Sequence, residues 1–324
     1  MKRLLICSIV VLAMTACGGN GSGKKGAQEQ ATVETEQTTA VVGQRIMPRV
    51  VVPAAESITM DKYRKYLSDH YWDNFDFGAG DSVAAYDTVE MCRAFADYVA
   101  TCVDPDNADT LMTRLMNRAS ASRPVLDYFA MLAERVLHDP NSPVRNDEYY
   151  IPVLRVLVSS PLYDIYDRIA PEYDLNMALQ NRPGHEANDF VYTLASGRSS
   201  RMHDIEADYL LIFINNPDCP MCRQITEAIT ASPMLNELTE RGTLRVLAIY
   251  PDADLDAWRN YASNMPSAWI NAYDKEQTIS SERLYDLKAI PAMYLLDCQK
   301  RVMIKDGTSV EQVEYAIIDN EARN

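Results

Sequence analysis

The feature that most constrains this chain is an unbroken apolar run, Tyr209-Leu210-Leu211-Ile212-Phe213-Ile214. It stops at Asn215-Asn216-Pro217-Asp218 and is followed at once by Cys219-Pro220-Met221-Cys222. Six consecutive large apolar residues bounded by turn residues predict a densely buried strand. Pro220 suits the first turn of a helix, where the N–H it lacks has no intrahelical partner anyway. The residues that follow, 221–230, are apolar at helical spacing. Both cysteines therefore fall at a strand-to-helix turn, the end of a strand where α/β folds present their sites. A helix N-terminus gathers unpaired N–H groups and positive partial charge, and these favour thiolate over thiol at Cys219. Two intervening residues place Cys222 one turn along, close enough to resolve a mixed disulfide formed on Cys219.

The surrounding pattern extends this unit into a domain. Strands are expected at residues 189–195, 209–214 and 244–250, and helices at 221–230, 234–239, 255–263 and 279–285. Two further strands, 292–296 and 301–304, are joined by Asp297-Cys298-Gln299-Lys300, and a last helix covers 310–318. Strands alternating with helices, then a hairpin and a helix, predict an α/β mixed sheet flanked by helices over residues 182–324. Upstream of Arg182-Pro183-Gly184 only helical periodicity occurs. Segments 61–71, 83–102, 110–119, 124–137, 148–158 and 162–179 predict an all-α helical domain spanning 58–181, and nothing in it resembles an active site. Its breaks fall at Asp104-Pro105-Asp106, Asp139-Pro140-Asn141-Ser142-Pro143 and Ser159-Ser160-Pro161, which are turn or helix-start signals.

The N-terminus reads as export machinery rather than fold. Lys2 and Arg3 precede an apolar stretch, 4–14, too short to span a bilayer, and Met14-Thr15-Ala16-Cys17 follows. Residues 1–16 are expected to be a signal peptide, with ordinary secretion after cleavage near Ala16 as the plainer alternative. The segment 17–57 begins Gly18-Gly19-Asn20-Gly21-Ser22-Gly23-Lys24-Lys25 and continues rich in Gln, Thr and Glu, a flexible-linker composition. Met14-Thr15-Ala16-Cys17 resembles the lipobox of bacterial lipoproteins. That resemblance implies lipidation of Cys17, attachment to the membrane through the lipid anchor only, and a place in the cell envelope facing the periplasm.

Charge and cysteine count exclude other classes. The formal net charge is −15 and becomes −17 without Lys2 and Arg3, with 31 − 2 = 29 basic residues against 46 acidic ones. Such a surface repels phosphate backbones, so no nucleic acid is expected as a partner. Five cysteines lie beyond Cys17, namely Cys92, Cys102, Cys219, Cys222 and Cys298. An odd number argues against a disulfide-stapled scaffold. Cys92 and Cys102 are ten residues apart on one predicted helix, about 15 Å, which is beyond disulfide reach; they read as buried and inert. Cys298 sits at a hairpin turn. No second C-x-x-C or paired histidines complete a zinc site, and no metal or cofactor is expected. His70, His138, His185 and His203 are scattered without ligand spacing. Tyr71, Trp72, Phe75 and Phe77 read as packing rather than as a binding platform.

The strand, turn and dithiol resemble the thioredoxin superfamily. About seventy residues downstream, Ala289-Ile290-Pro291-Ala292 begins the strand that leads into the closing hairpin. Upstream, Pro183-Gly184-His185-Glu186-Ala187-Asn188-Asp189-Phe190 looks like the entry segment of the peroxiredoxin and TlpA-like branches. The resemblance implies a thioredoxin-like fold, a cis peptide bond before Pro291 beside the dithiol, and backbone groups of Ile290 offered to an extended substrate. It further implies catalysis by Cys219 and Cys222. The expected activity is a thiol–disulfide oxidoreductase that reduces or isomerises disulfides in envelope proteins and is recharged by a membrane or periplasmic electron donor. Departures from the pattern are specific. Asp218 stands where many relatives have Trp, and its charge opposes thiolate formation next door. Phe213 stands where thioredoxin has a buried carboxylate that assists proton transfer. Arg223 compensates only if its side chain turns back. A peroxiredoxin-type peroxidase is the alternative enzyme, but Asn216-Pro217-Asp218-Cys219 lacks that branch's Thr-x-x-Cys. A non-catalytic binding lipoprotein that uses the domain as scaffold is the alternative from another class. Residues 66–77, Tyr66-Leu67-Ser68-Asp69-His70-Tyr71-Trp72-Asp73-Asn74-Phe75-Asp76-Phe77, resemble a helical domain of unknown function found ahead of thioredoxin-like domains in envelope lipoproteins.

Overall fold

A computed structural model describes residues 45–55 and 59–323. The expected signal peptide, Cys17 and most of the linker lie outside the described residues. Six helices come first: α1 (Met60–His70), α2 (Thr88–Cys102), α3 (Ala108–Ala119), α4 (Arg123–Ala133), α5 (Asp147–Ser159) and α6 (Ile169–Ala178). Their apolar stripes meet in one core that includes Phe95, Tyr98, Met112, Leu126, Phe129 and Leu154. Trp72 and Phe75 are buried in it and meet Phe129 edge-on at 5.2 and 4.9 Å, so this aromatic run is core.

Local side-chain chemistry moves two helix starts from where periodicity alone puts them. The run 83–102 breaks because Asp87 Oδ1 accepts the N–H groups of Val89 and Glu90, making it the N-cap of α2. The run 162–179 does not become helical until Ile169. Asp164 Oδ1 accepts from the N–H groups of Tyr166 and Asp167, and Asp167 Oδ2 accepts from the N–H of Asp164. Such side-chain turns compete with helix for the same donors.

A seven-stranded sheet follows, with the spatial order β2-β1-β5-β4-β3-β6-β7. Its strands are β1 (Val191–Leu194), β2 (Ser199–Arg201), β3 (Tyr209–Ile214), β4 (Leu244–Tyr250), β5 (Ile270–Tyr273), β6 (Ala292–Asp297) and β7 (Val302–Gly307). Strands β3, β4 and β5 are parallel neighbours, while β6 and β7 and the pair β1 and β2 run antiparallel to theirs. The helices are α7 (Pro220–Ala231), α8 (Pro233–Glu240), α9 (Leu255–Ala262), the single turn α10 (Thr278–Ser281) and α11 (Val310–Arg323). Alternation along the strands divides the core into two. Leu211, Phe213, Val246, Ala248, Met293 and Leu295 face α7 and α11, whereas Leu210, Ile212, Leu247, Ile249, Tyr294 and Leu296 face the entry segment and Tyr285. β3 is buried along its whole length, as its composition requires.

Strands β2 and β5 and the shortness of α10 were not in the sequence pattern. The helix expected at 279–285 ends early because Arg283 takes a left-handed φ of 55°. The entry segment pairs with β7: the N–H of Gly184 donates to the Val302 carbonyl at 2.8 Å, and that of Val302 to the His185 carbonyl at 2.8 Å.

The helical and sheet-bearing parts lie within one compact unit, Gly43–Asn324. Their junction is polar. Lys305 Nζ, nearly buried, reaches Asp147 at 2.8 Å and the carbonyls of Ala178 and Gln180 at 2.9 and 2.8 Å. Arg145 pairs with Asp306 beside it, and Arg182 Nε donates to Glu148 at 2.9 Å.

Candidate active site

Strand β3 ends at Ile214, and the turn Asn215–Asp218 delivers Cys219 to the N-cap of α7. Asp218 N–H donates to Asn216 Oδ1 at 3.3 Å, which folds the turn back on itself. Cys219 performs the capping that Ser or Asp performs elsewhere: its Sγ accepts the N–H of Cys222 at 3.1 Å. Pro220 and Pro233 both occupy first-turn positions of their helices. Cys219 is half-buried and Cys222 is fully buried, so the two thiols are unequal. Burial, and then the neighbouring Cys219 thiol, push the Cys222 thiol up to about 12. Two backbone donors oppose that rise, the Asn216 N–H at 3.5 Å from Cys222 Sγ and the N–H of Cys222 itself. Both cysteines are unbridged.

The loop before β6 completes the site. The Ile290–Pro291 peptide bond is cis, as the resemblance implied, and the Cys219 thiol donates to the Ile290 carbonyl at 3.6 Å. Ile290 is partly buried and packs against both halves of the core, so the segment sits over the edge of the sheet. The structure thus brings Cys219, Cys222, Ile290 and Pro291 together. Cys17 lies outside the described residues. Met221 is exposed beside the dithiol, and Asp218 is exposed as well. Arg223, one residue past the dithiol, is exposed, and among the described residues it forms no ion pair. Phe213, 0% exposed, fills the place under the dithiol and meets Trp269 edge-on at 6.2 Å.

Cys92 and Cys102 lie on the same helix, α2, and stay apart; burial pushes the Cys102 thiol up to about 12. Cys298 is exposed at the hairpin turn. Among the described residues no group of three or more His, Cys, Asp or Glu side chains is placed to hold a metal ion. Sequence reasoning passed over Tyr261, packed against the same core as Cys222, because its position on α9 is ordinary until the fold brings it there.

A dithiol capping a helix at the end of a buried parallel strand, with a proline-led strand beside it, defines a thioredoxin-like site. The chain belongs to the thioredoxin-like family. It is 37% identical to a thioredoxin-like protein of Bacteroides caccae known from a crystal structure, with a TM-score of 0.80 over 85% of this chain and 99% of that one. The family model described as thioredoxin-like matches residues 207–302, and the model described as Domain of unknown function (DUF5106) matches residues 21–181. Among curated proteins, nucleoredoxin of Bos taurus is 25% identical over 114 residues, 35% of this chain. That match spans about a quarter of nucleoredoxin's length, 26%.

Proposed function

We propose that this protein is a thiol–disulfide oxidoreductase that reduces or isomerises disulfides in envelope proteins, with Cys219 as attacking thiol and Cys222 as resolving thiol. The observation that carries this reading is the placement of Cys219. Its sulfur accepts the Cys222 N–H at 3.1 Å and stands 3.6 Å from the Ile290 carbonyl, at a turn that leaves it half-exposed. A substrate chain lying along Ile290 would bring its disulfide to that sulfur. The Cys219 thiolate attacks one substrate sulfur, forming a mixed disulfide and releasing the other sulfur as a thiolate. Cys222, deprotonated, then attacks Cys219 Sγ and the second substrate thiolate leaves. Substrate gains two electrons, the enzyme closes Cys219–Cys222, and an external dithiol donor must return the electrons. If Cys222 is slow to attack, the mixed disulfide persists and the substrate's own thiols rearrange it, which is isomerisation.

Anchoring belongs to the same proposal. Met14-Thr15-Ala16-Cys17 and the Gly-rich stretch after it support a lipid on Cys17 that tethers the enzyme to an envelope membrane facing the periplasm. Among the described residues no helix is long and apolar enough to cross a membrane. Reduction of a model protein disulfide by wild type and by Cys219→Ser tests the activity. The variant should lose all turnover, and equal turnover in both would end the proposal. Mass spectrometry of the mature N-terminus tests the anchor, with acylated Cys17 the expected species.

A further inference from the structure

The redox site lies wholly on the sheet-bearing part, yet the loop that forms its second wall is held from the helical part. Two residues before Ile290, Lys288 reaches a side chain of the helical part. Its Nζ lies 2.9 Å from Asp286 and 3.2 and 3.4 Å from the two ring nitrogens of His138, the last residue of the π-helical turn Glu134–His138 that continues α4. His138 stacks on Tyr150 of α5, ring centroids 4.9 Å apart, and its Nε2 stands 3.7 Å from Asp174 of α6. Burial and the Lys288 charge pull the His138 ring down to about 4, so at neutral pH it is an uncharged acceptor for the ammonium.

The same loop is held at its other end. The Leu284 carbonyl accepts from Asn181 Nδ2 at 2.7 Å and from Asn188 Nδ2 at 3.0 Å. Tyr285 Oη donates to the Asn188 carbonyl at 2.7 Å, and its ring meets Tyr294 of β6 edge-on at 4.9 Å. Arg283 lies 4.9 Å over the Tyr173 ring of α6. Arg283, Leu284, Tyr285, Asp286 and Lys288 are therefore each held by a side chain or carry a holding one. His138, Tyr173 and Asn181, all upstream of the sheet, supply three of these contacts.

From this geometry we propose that the helical part is a component of the redox site. Lys288 and Asn181 are positioning residues: they clamp residues 283–288 and so fix the Ile290 carbonyl against Cys219. The lever is short, since two residues span at most about 7 Å, and a shift at Lys288 passes to Ile290 with little loss. Displacements of about 1 Å at a reacting centre have large kinetic cost. The substrate class follows from what the clamp fixes. Ile290 presents backbone, so the clamp serves disulfides carried on extended polypeptide and is irrelevant to a small disulfide that needs only the sulfur. This last step rests on the oxidoreductase reading; the clamp itself does not.

The test uses the whole chain with Lys288→Met, Lys288→Arg and Arg123→Met. Arg123→Met removes ion pairs with Asp127 and Asp167 inside the helical part, away from residues 283–288, and serves as the structural control. Hydrogen exchange of amides 284–290 should speed about tenfold in Lys288→Met, return in Lys288→Arg, and stay at the wild-type rate in Arg123→Met despite its lower melting temperature. For a peptide disulfide, Lys288→Met should raise KM several-fold with kcat within about twofold, while a small aromatic disulfide is reduced at the wild-type rate. Unchanged exchange in Lys288→Met, or equal effects from Arg123→Met, overturns the clamp. Exchange that responds as expected in a protein that reduces neither disulfide leaves the clamp standing and removes the oxidoreductase reading instead.

Discussion

The backbone N–H of Asn216 points at the buried Sγ of Cys222 across 3.5 Å. It is a weak donor to a sulfur that burial strongly keeps protonated, and the strand below offers Phe213 where a carboxylate would otherwise receive the proton. Cys222 should therefore be inert until a mixed disulfide forms beside it. In Cys219→Ser, peptide mass spectrometry of iodoacetamide-treated protein follows Cys222 by itself. Burial, the largest cause of the raised Cys222 thiol, persists in this variant, so its alkylation at pH 8 should be at least ~100-fold slower than that of a free cysteine. A rate within tenfold of a free cysteine would show that burial does not govern this thiol.

His138 gives the junction a pH dependence of definite sign. Its ring falls from 6.5 to about 4 through burial first and then the Lys288 charge; Arg145 pushes the same way, while Asp147 and Asp286 oppose it. The folded state binds fewer protons than the unfolded one between those values. The contribution to stability is thus complete above about pH 6.5 and is lost as pH falls toward 4. The fall from 6.5 to about 4, at about 1.4 kcal/mol per unit, sets a ceiling of about 3.5 kcal/mol, which the ring's partial exposure reduces. Thermal melts of wild type and His138→Gln should diverge in slope across this window, the wild type losing more on acidification. Carboxylates remote from this ring cancel in the difference, whereas Asp139 and Asp286, which the His138 charge helps to lower, add to it.

How far the sequence anticipated this structure depends on where each interaction begins. β3, β4 and β6 were legible because their apolar runs are long and buried on both faces. β5 was not: it is four residues long, and its Asn271 is committed to side-chain contacts, accepting from the indole N–H of Trp258 and donating to the Ala262 carbonyl. The dithiol and Pro291 were legible as a pattern, and the fold supplied what no pattern carries, the 3.6 Å contact from Cys219 to Ile290. The hold on residues 283–288 was invisible for a stronger reason. Asn181 and Leu284 are 103 positions apart, and His138 and Lys288 are 150 apart. None of these residues has unusual neighbours in sequence.

The proposed boundary near Arg182 has a consequence of its own. Residues 182–324 contain both halves of the sheet core, and their junction with the helices is largely polar. The fragment 182–324 should melt in a single cooperative transition, at a lower temperature than the whole chain because Lys305 and the Leu284 carbonyl lose their helical-side partners to water. A fragment without dispersed amide resonances, from a whole chain that is folded, would put the boundary in the wrong place.

Division of labour within the dithiol follows from the unequal exposure of its sulfurs. Cys219 caps α7 and is half-exposed, whereas Cys222 is fully buried one turn on, so a substrate disulfide can reach only the first. The helix terminus must prevail over the Asp218 carboxylate for Cys219 to attack readily. A terminus contributes ~0.3–1 kcal/mol at exposed sites and up to ~2 in partly buried ones. Asp218 is exposed, and water and salt screen its charge. Asp218→Asn removes a neighbouring negative charge and should speed alkylation of Cys219, the effect shrinking as salt is added. Cys222→Ser should leave the mixed disulfide unresolved and accumulate covalent adducts with disulfide-bearing proteins. With the exposed Cys298 replaced by Ser in both variants, Cys219→Ser should accumulate none at the dithiol, because Cys222 is buried and protonated. Non-reducing gels of the two variants decide the matter: adducts that build up on Cys219→Ser and not on Cys222→Ser would reverse the assignment and with it the geometric reading of the site.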